Sequence, residues 1–119
     1  MADTGIFATT AQVQSFVPAW ASATYNTEAY INTFIAYWET YLCNLTGYDL
    51  STNYAGLNAM MKKTLGIYVS LRCAINICDK DTTGADIRTA EFFYDSANEQ
   101  IIKLEKIIED KVNLIKSGV

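Results

Sequence analysis

Apolar residues recur every three or four positions along three stretches of the chain, which is the spacing of helices that bury one stripe of their surface. The first stretch predicts a helix over about residues 27–46, with Asn26 as its N-cap, Glu28 in its first turn and Gly47 as its stop. Its buried stripe is Ile31, Phe34, Ile35, Trp38, Leu42 and Leu45. An adjoining aromatic stripe is Tyr30, Phe34, Tyr37 and Tyr41. Together the two stripes are wider than one packing seam requires.

The second stretch predicts a central helix. It follows the turn-rich residues 47–57, is capped by either Ser51 or Asn58, and ends near Cys78. Apolar residues surround most of its circumference, which is typical of a helix buried on several sides. Gly66 in its interior indicates a close approach by another helix, since glycine is otherwise unfavourable there.

The third stretch predicts a long helix from near Asp86 to about Lys116, after the polar turn 79–86. At about 1.5 Å per residue this helix is roughly 45 Å long, some ten residues longer than the first. Its seam is Ile87, Ala90, Phe93, Ala97, Ile101, Leu104, Ile108 and Ile115. We expect its last turns to project beyond the bundle and to need another chain to cover Ile107, Val112, Leu114 and Ile115.

Residues 1–22 differ from the rest of the chain, because they are small, polar and rich in Thr and Ala. Thr9 or Thr10 can cap a short helix through Phe16, and Pro18 ends it.

The predicted fold is therefore all-α: an N-terminal arm with a short helix (1–22) and a bundle of three main helices (23–119) with a long C-terminal helix. The arm packs either on its own bundle or across a neighbour, and the sequence favours neither. Its large apolar residues are Ile6, Phe7, Val13, Phe16, Val17 and Trp20.

Composition points to protein–protein contact. Half of the 119 residues are apolar, 18% are charged, and the aromatic residues include eight Tyr. Surplus Tyr and Trp often lie at interfaces, because they combine a large apolar body with a polar tip. The net charge of −4 and the lack of a Lys/Arg cluster disfavour binding to the DNA backbone, which cations drive.

Candidate chemistry is sparse, and we expect no enzyme, catalytic residue, cofactor or metal. The chain has no histidine, which removes the commonest general acid/base and most zinc sites. Glu91, Asp95 and Glu99 form a row on one helix face, either as a metal or acid/base site or as a solvated acidic face, and the second is favoured. We expect the three cysteines to be buried free thiols: Cys43, Cys73 and Cys78.

The N-terminus has no signal-peptide pattern, and the longest apolar-leaning run, 65–78, is too short for a bilayer, which needs about 20 residues. We therefore expect a soluble protein without a membrane partner.

Several segments resemble small proteins encoded among the head genes of tailed bacteriophages. They are Met1–Gln14, Ala23–Asn32, Tyr54–Asn58 and Arg88–Glu91, and their order agrees with the head–tail connector (adaptor) family. The segment Ser15–Trp20 departs from that family's pattern, where a more polar, basic stretch is expected.

The resemblance implies a structural virion protein, made in the host cytoplasm and placed in the neck of the particle. Such subunits form a homo-oligomeric ring, usually a dodecamer, beneath the portal protein, carry a stopper or tail protein on the other face, and let DNA pass without sequence-specific binding. An alternative is a small cytoplasmic helical regulator that acts as a homodimer, and a carboxylate–metal helical enzyme is disfavoured. The predicted interface residues are Ile6, Phe7, Val13, Phe16, Val17, Trp20, Tyr30, Tyr37, Tyr41, Ile107, Val112, Leu114 and Ile115.

Overall fold

The computed structural model describes residues 5–21, 24–80 and 87–117. Every regular element in these ranges is helical, which confirms a small all-α bundle with a short N-terminal helix and a long C-terminal one. The helices are α1 (Thr10–Phe16), α2 (Glu28–Thr46), α3 (Ala59–Lys80) and α4 (Ile87–Lys116), with a single 3₁₀ turn at Tyr54–Gly56.

Local capping explains most of the helix ends. Thr9 caps α1 by accepting a hydrogen bond from the Gln12 amide at 3.2 Å, and the Gln12 side chain accepts one from the Thr9 amide at 2.9 Å. Asn58, rather than Ser51, caps α3 by accepting a bond from the Met61 amide at 2.8 Å. Gly47 ends α2 in the left-handed conformation, with φ of 67°, as predicted.

The N-cap of α2 differs from the prediction. Thr27, not Asn26, occupies the capping position, and its side chain makes no bond to the first turn. The Thr27 hydroxyl instead donates to the carbonyl of Thr24 at 3.4 Å. The helix therefore begins one residue later than Asn26 would place it.

The central helix is α3, as its apolar circumference predicts. It packs against α1, α2 and α4. Its buried apolar residues meet those of the other three helices in one core, with Ile31, Ile35 and Leu42 of α2 pointing inward. Leu45, predicted for the same stripe, is exposed, and Thr46 is buried beside it.

Gly66 does allow a close approach, by the backbone just before α1 and by the Gln12 side chain of α1 itself, which would lie 3.8 Å from a Cβ atom at this position. A Cβ atom at Gly66 would lie 2.9 Å from the carbonyl oxygen of Phe7, in the extended segment that precedes α1. The arm therefore packs against its own bundle, and Phe7, Ala8 and Val13 belong to the common core.

The C-terminal turns of α4 do not project beyond the bundle, contrary to the expectation from helix length. Ile108 and Val112 are fully buried, and the Lys116 ammonium donates to the carbonyl of Thr46, the last residue of α2, at 2.7 Å. The connection 47–58 supplies the missing length, because it folds under α2 with Leu50 fully buried. Together, α2 and this connection are as long as α4.

Candidate interaction surface

The outward face of α2 carries no charged side chain between Ala29 and Asn44. The one charged residue in that stretch, Glu39, is buried on the opposite side, with 7% of its surface exposed. Charged residues are almost always the ones that a water-facing helix presents. The exposed positions on this face are Ala29, Tyr30, Thr33, Ala36, Tyr37, Thr40 and Asn44.

The threonines of this face offer little polarity to solvent. The Thr33 hydroxyl donates to the Ala29 carbonyl at 3.1 Å, and the Thr40 hydroxyl donates to the Ala36 carbonyl at 3.0 Å. Because each hydroxyl bonds within the helix, the donors of these threonines need no water. The face is thus less hydrated than its residue types suggest.

An aromatic cluster forms one edge of the α2 face. The Trp38 ring stands edge-on to Tyr37, with centroids 4.9 Å apart, and edge-on to Tyr41 at 5.2 Å. Tyr37 is 61% exposed, whereas Trp38 and Tyr41 are half-buried. Tyr37 and Tyr41 also line a shallow cleft of about 380 Å³ with Ala36, Thr40 and Asn44.

Arg72 of α3 holds this cluster in place from below. Its guanidinium carbon lies 4.6 Å from the Trp38 ring centroid and 5.9 Å from that of Tyr41. Cation–π contacts of this kind contribute about 0.5–2 kcal/mol, depending on solvation. They favour the observed positions of the Trp38 and Tyr41 rings.

Arg72 also ties α3 to α4. It forms an ion pair with Glu105 at 2.7 Å, and its Nε donates to the Tyr68 hydroxyl at 3.1 Å. The Tyr68 hydroxyl in turn donates to Glu105 at 2.9 Å. Burial raises the pKa of Tyr68 above its ordinary value, so the hydroxyl keeps the proton that it donates. Helical spacing does not reveal this network, although Arg72 is the single charged residue between Lys63 and Asp79.

A second missed feature is the anchor of the N-terminal segment. One carboxylate oxygen of Glu39 accepts hydrogen bonds from the Ile6 and Phe7 amides, both at 2.6 Å. Burial raises the pKa of Glu39, and the two amide bonds partly oppose that rise. The signal in the sequence was the position of Glu39 four residues after Ile35, which places it on the buried stripe.

The predicted interface residues of the arm divide between core and surface. Phe7 and Val13 are buried in the core of the subunit, whereas Ile6 is 46% exposed. Phe16, Val17 and Trp20 are half-buried. Phe16 and Trp20 line an apolar cleft of about 290 Å³ on α4, together with Pro18, Leu71, Phe92 and Phe93.

The C-terminal residues divide in the same way. Val112 is buried in the core, Ile115 is half-buried, and Ile107 and Leu114 are exposed. Leu114 and Ile115 line a cleft of about 410 Å³ with Tyr48, Leu57 and Met61, among others. Most accessible members of the predicted set therefore fall in three separate patches: the α2 face, the Trp20 cleft and the Leu114 cleft. Ile6 and Ile107 are exposed outside these patches.

Candidate reactive groups lie apart from these patches. Glu91, Asp95 and Glu99 are exposed on α4, and Glu99 pairs with Lys103 at 3.3 Å. Within the described ranges, no three His, Cys, Asp or Glu side chains are arranged to hold a metal ion. Cys73 and Cys78 are buried thiols and Cys43 is partly buried, and burial raises the pKa of Cys78 to about 12.

No helix in the part of the chain that the structure describes has the length and apolar character of a membrane span. No protein-family model, curated protein or solved structure matches this chain. The chemistry of its surfaces is therefore the basis for a functional proposal.

Proposed function

We propose that this chain is a structural subunit without catalytic activity, which assembles with copies of itself into the ring of a phage head–tail connector. The observation that carries the proposal is the α2 face: an exposed, uncharged helix surface with Tyr37 and Tyr41 along one edge. The segments that resemble the adaptor family support the same identity.

The α2 face has the composition of an interface core. Such cores are depleted of charge and enriched in Tyr and Trp, because burying an unpaired charge is unfavourable and burying an aromatic ring is not. Each ring can bury about 150–250 Å² of surface. Since Arg72 fixes Trp38 and Tyr41, little side-chain freedom remains to be lost on association.

A ring requires the α2 face to meet a different patch on the next subunit, because only such head-to-tail contacts close into rings. The Trp20 cleft on α4 is the complementary candidate, since it is lined by exposed Phe92 and other apolar groups. If α2 met α2 instead, the assembly would stop at a homodimer, which is the alternative function.

In the ring, one end meets the portal protein and the other a stopper or tail protein. The exposed acids Glu91, Asp95 and Glu99 are suited to the channel wall, because carboxylates give DNA phosphates no cationic anchor. Lys substitutions at these three positions should slow DNA ejection.

The test compares the wild-type chain with Tyr37→Asp and with the matched control Ile102→Asp. Both changes place one carboxylate at an exposed apolar position, the first on α2 and the second on α4. Mass is measured by light scattering, with and without the portal protein of the same phage, and rings are observed by electron microscopy.

We expect rings from the wild type and from Ile102→Asp, and monomers from Tyr37→Asp. A wild-type dimer that stays a dimer beside the portal protein would favour the homodimeric regulator. A wild-type monomer under all conditions would contradict both functions.

A further inference from the structure

The segment before α1 is bound in a groove between α2 and α3 by a small set of specific contacts. Glu39 accepts from the amides of Ile6 and Phe7 at 2.6 Å each. The Phe7 ring stacks on Tyr54, with centroids 5.4 Å apart and planes 20° from parallel, and the Lys62 ammonium lies 5.3 Å from the same Tyr54 ring.

The backbone of this segment fits in the groove only because glycines stand where the segment and the groove are in contact. A Cβ at Gly66 would lie 2.9 Å from the Phe7 carbonyl oxygen, closer than real Cβ contacts occur. The same holds on the arm, where a Cβ at Gly5 would lie 2.5 Å from a methyl carbon of Ile35. The arm and the groove therefore fit closely at these two glycines.

An empty groove is unfavourable. Without the arm, the carboxylate of Glu39 loses the two amide bonds recorded for it. Apolar core surface under Phe7 and Val13 would also be exposed. We therefore expect an arm to leave its own groove only where the arm of another copy takes its place.

The linker limits how far the arm can move in such an exchange. Residues 17–27 connect α1 to α2, and at about 3.3 Å per residue they extend to roughly 35 Å. The shortest dimension of the molecule is 21 Å. A second copy of the chain offers the same groove, so all contacts of the arm can be formed again between copies.

We propose that the N-terminal arm, residues 5–16, of one copy docks in the Glu39 groove of a second copy and links neighbouring subunits. The proposal rests on the proposed function for its role in a ring, whereas the exchange itself depends on the groove alone.

The test mixes two full-length chains, each with one half of the contact broken. Phe7→Asp disables the arm and leaves the groove intact, and Gly66→Val closes the groove and leaves the arm intact. Both carry Tyr37→Asp, so that the α2 face does not hold copies together and the outcome is independent of ring assembly. The matched control replaces Gly66→Val by Gly56→Val, because a Cβ at Gly56 meets nothing within 4 Å.

We expect a one-to-one complex in the mixture by native mass spectrometry, monomers from each chain alone, and no complex with the Gly56→Val control. A mixture of folded chains that stays monomeric at millimolar concentration would overturn the exchange, and rings of the wild type would still stand.

A second measurement uses peptides in place of a second chain. Two fluorescent peptides of residues 5–17, native and Phe7→Asp, are titrated into the Phe7→Asp chain, whose own arm does not complete the groove. We expect the native peptide to bind at least tenfold more tightly, because only it completes the Tyr54 stack. Equal binding of the two peptides, or none by either, would show that the groove does not accept an arm from outside.

Discussion

The outer faces of α2 and α4 place the same type of residue in opposite settings. On α2, Glu39 points inward and binds backbone amides, and the outer face is uncharged. On α4, Glu99 points outward and pairs with Lys103 in solvent. The exposed ion pair is typical of a helix surface in contact with water, and the same outer side of α4 also exposes Phe92 and Ile102. The uncharged outer face of α2 is instead typical of a helix covered on both sides, so the difference marks α2 as a side that meets a partner.

The two glutamates should differ most in their effect on stability. We expect Glu39→Ala to lower the free energy of unfolding by about 3 kcal/mol, because it leaves the amides of Ile6 and Phe7 without an acceptor, at about 1–3 kcal/mol each. Release of the arm limits the loss. Urea denaturation measures the change, with Glu39→Gln, which keeps an acceptor, as the conservative control. A loss below about 1 kcal/mol would contradict the role of Glu39 as an anchor.

An ion pair of the α4 type, placed on the outer face of α2, should weaken association. The change in association free energy should be close to the change in unfolding free energy expected for Glu39→Ala. Ala36→Glu with Thr40→Lys recreates a charged pair four residues apart and leaves the net charge unchanged. We expect self-association to weaken about a hundredfold, near 2.8 kcal/mol, since the pair must lose its water on assembly. Monomer stability should change by less than about 0.5 kcal/mol. Analytical ultracentrifugation measures the first quantity, and unchanged association would show that α2 is not the interface.

The contrast between these helices was only partly readable from the sequence. Periodicity located the helices and the central position of α3, and Thr9, Asn58 and Gly47 marked ends because capping depends on neighbouring residues. The aromatic stripe on α2 was likewise visible.

Contacts distant in sequence were not visible. Glu39 meets Phe7 across 32 residues, and Lys116 meets Thr46 across 70. Helical spacing tells which side of a helix is apolar, but not which extended segment fills a groove or how a loop lengthens a bundle. For that reason the sequence does not locate the arm, and helix length alone predicts an overhang of α4 that the structure does not have.

Between the two faces, Arg72 links the aromatic edge of α2 to Glu105 of α4, and its loss should have an intermediate effect. We expect Arg72→Met to lower the free energy of unfolding by about 1–2 kcal/mol, because Glu105 loses its partner and three rings lose a cation–π contact. A double-mutant cycle with Glu105→Gln should give a coupling of about 1 kcal/mol. Additive effects would mean that the ion pair contributes nothing.

The protonation of Glu39 should add a smaller, pH-dependent difference. Burial raises the pKa of Glu39 in the folded chain, so folding favours its protonated form. The stability that this group contributes is complete below its unfolded pKa of about 4.3 and is lost as pH rises through the raised pKa. The unfolding free energy of the wild type, relative to that of Glu39→Gln, should therefore decrease as the pH rises from 4 towards neutrality. A shift of opposite sign would mean that the amide bonds outweigh burial.

The smallest effect is expected on α4. Glu99 and Lys103 are each about 70% exposed, with their charged atoms 3.3 Å apart, so water and salt screen their attraction. We expect Glu99→Ala to change the free energy of unfolding by about 0.3 kcal/mol, the usual contribution of such a helical pair, and the change to vanish in 1 M NaCl. Denaturation at low and high salt measures it, beside Glu39→Ala under the same conditions. If Glu99→Ala also impaired ring assembly, the acidic row would have to contact another subunit and would not face solvent.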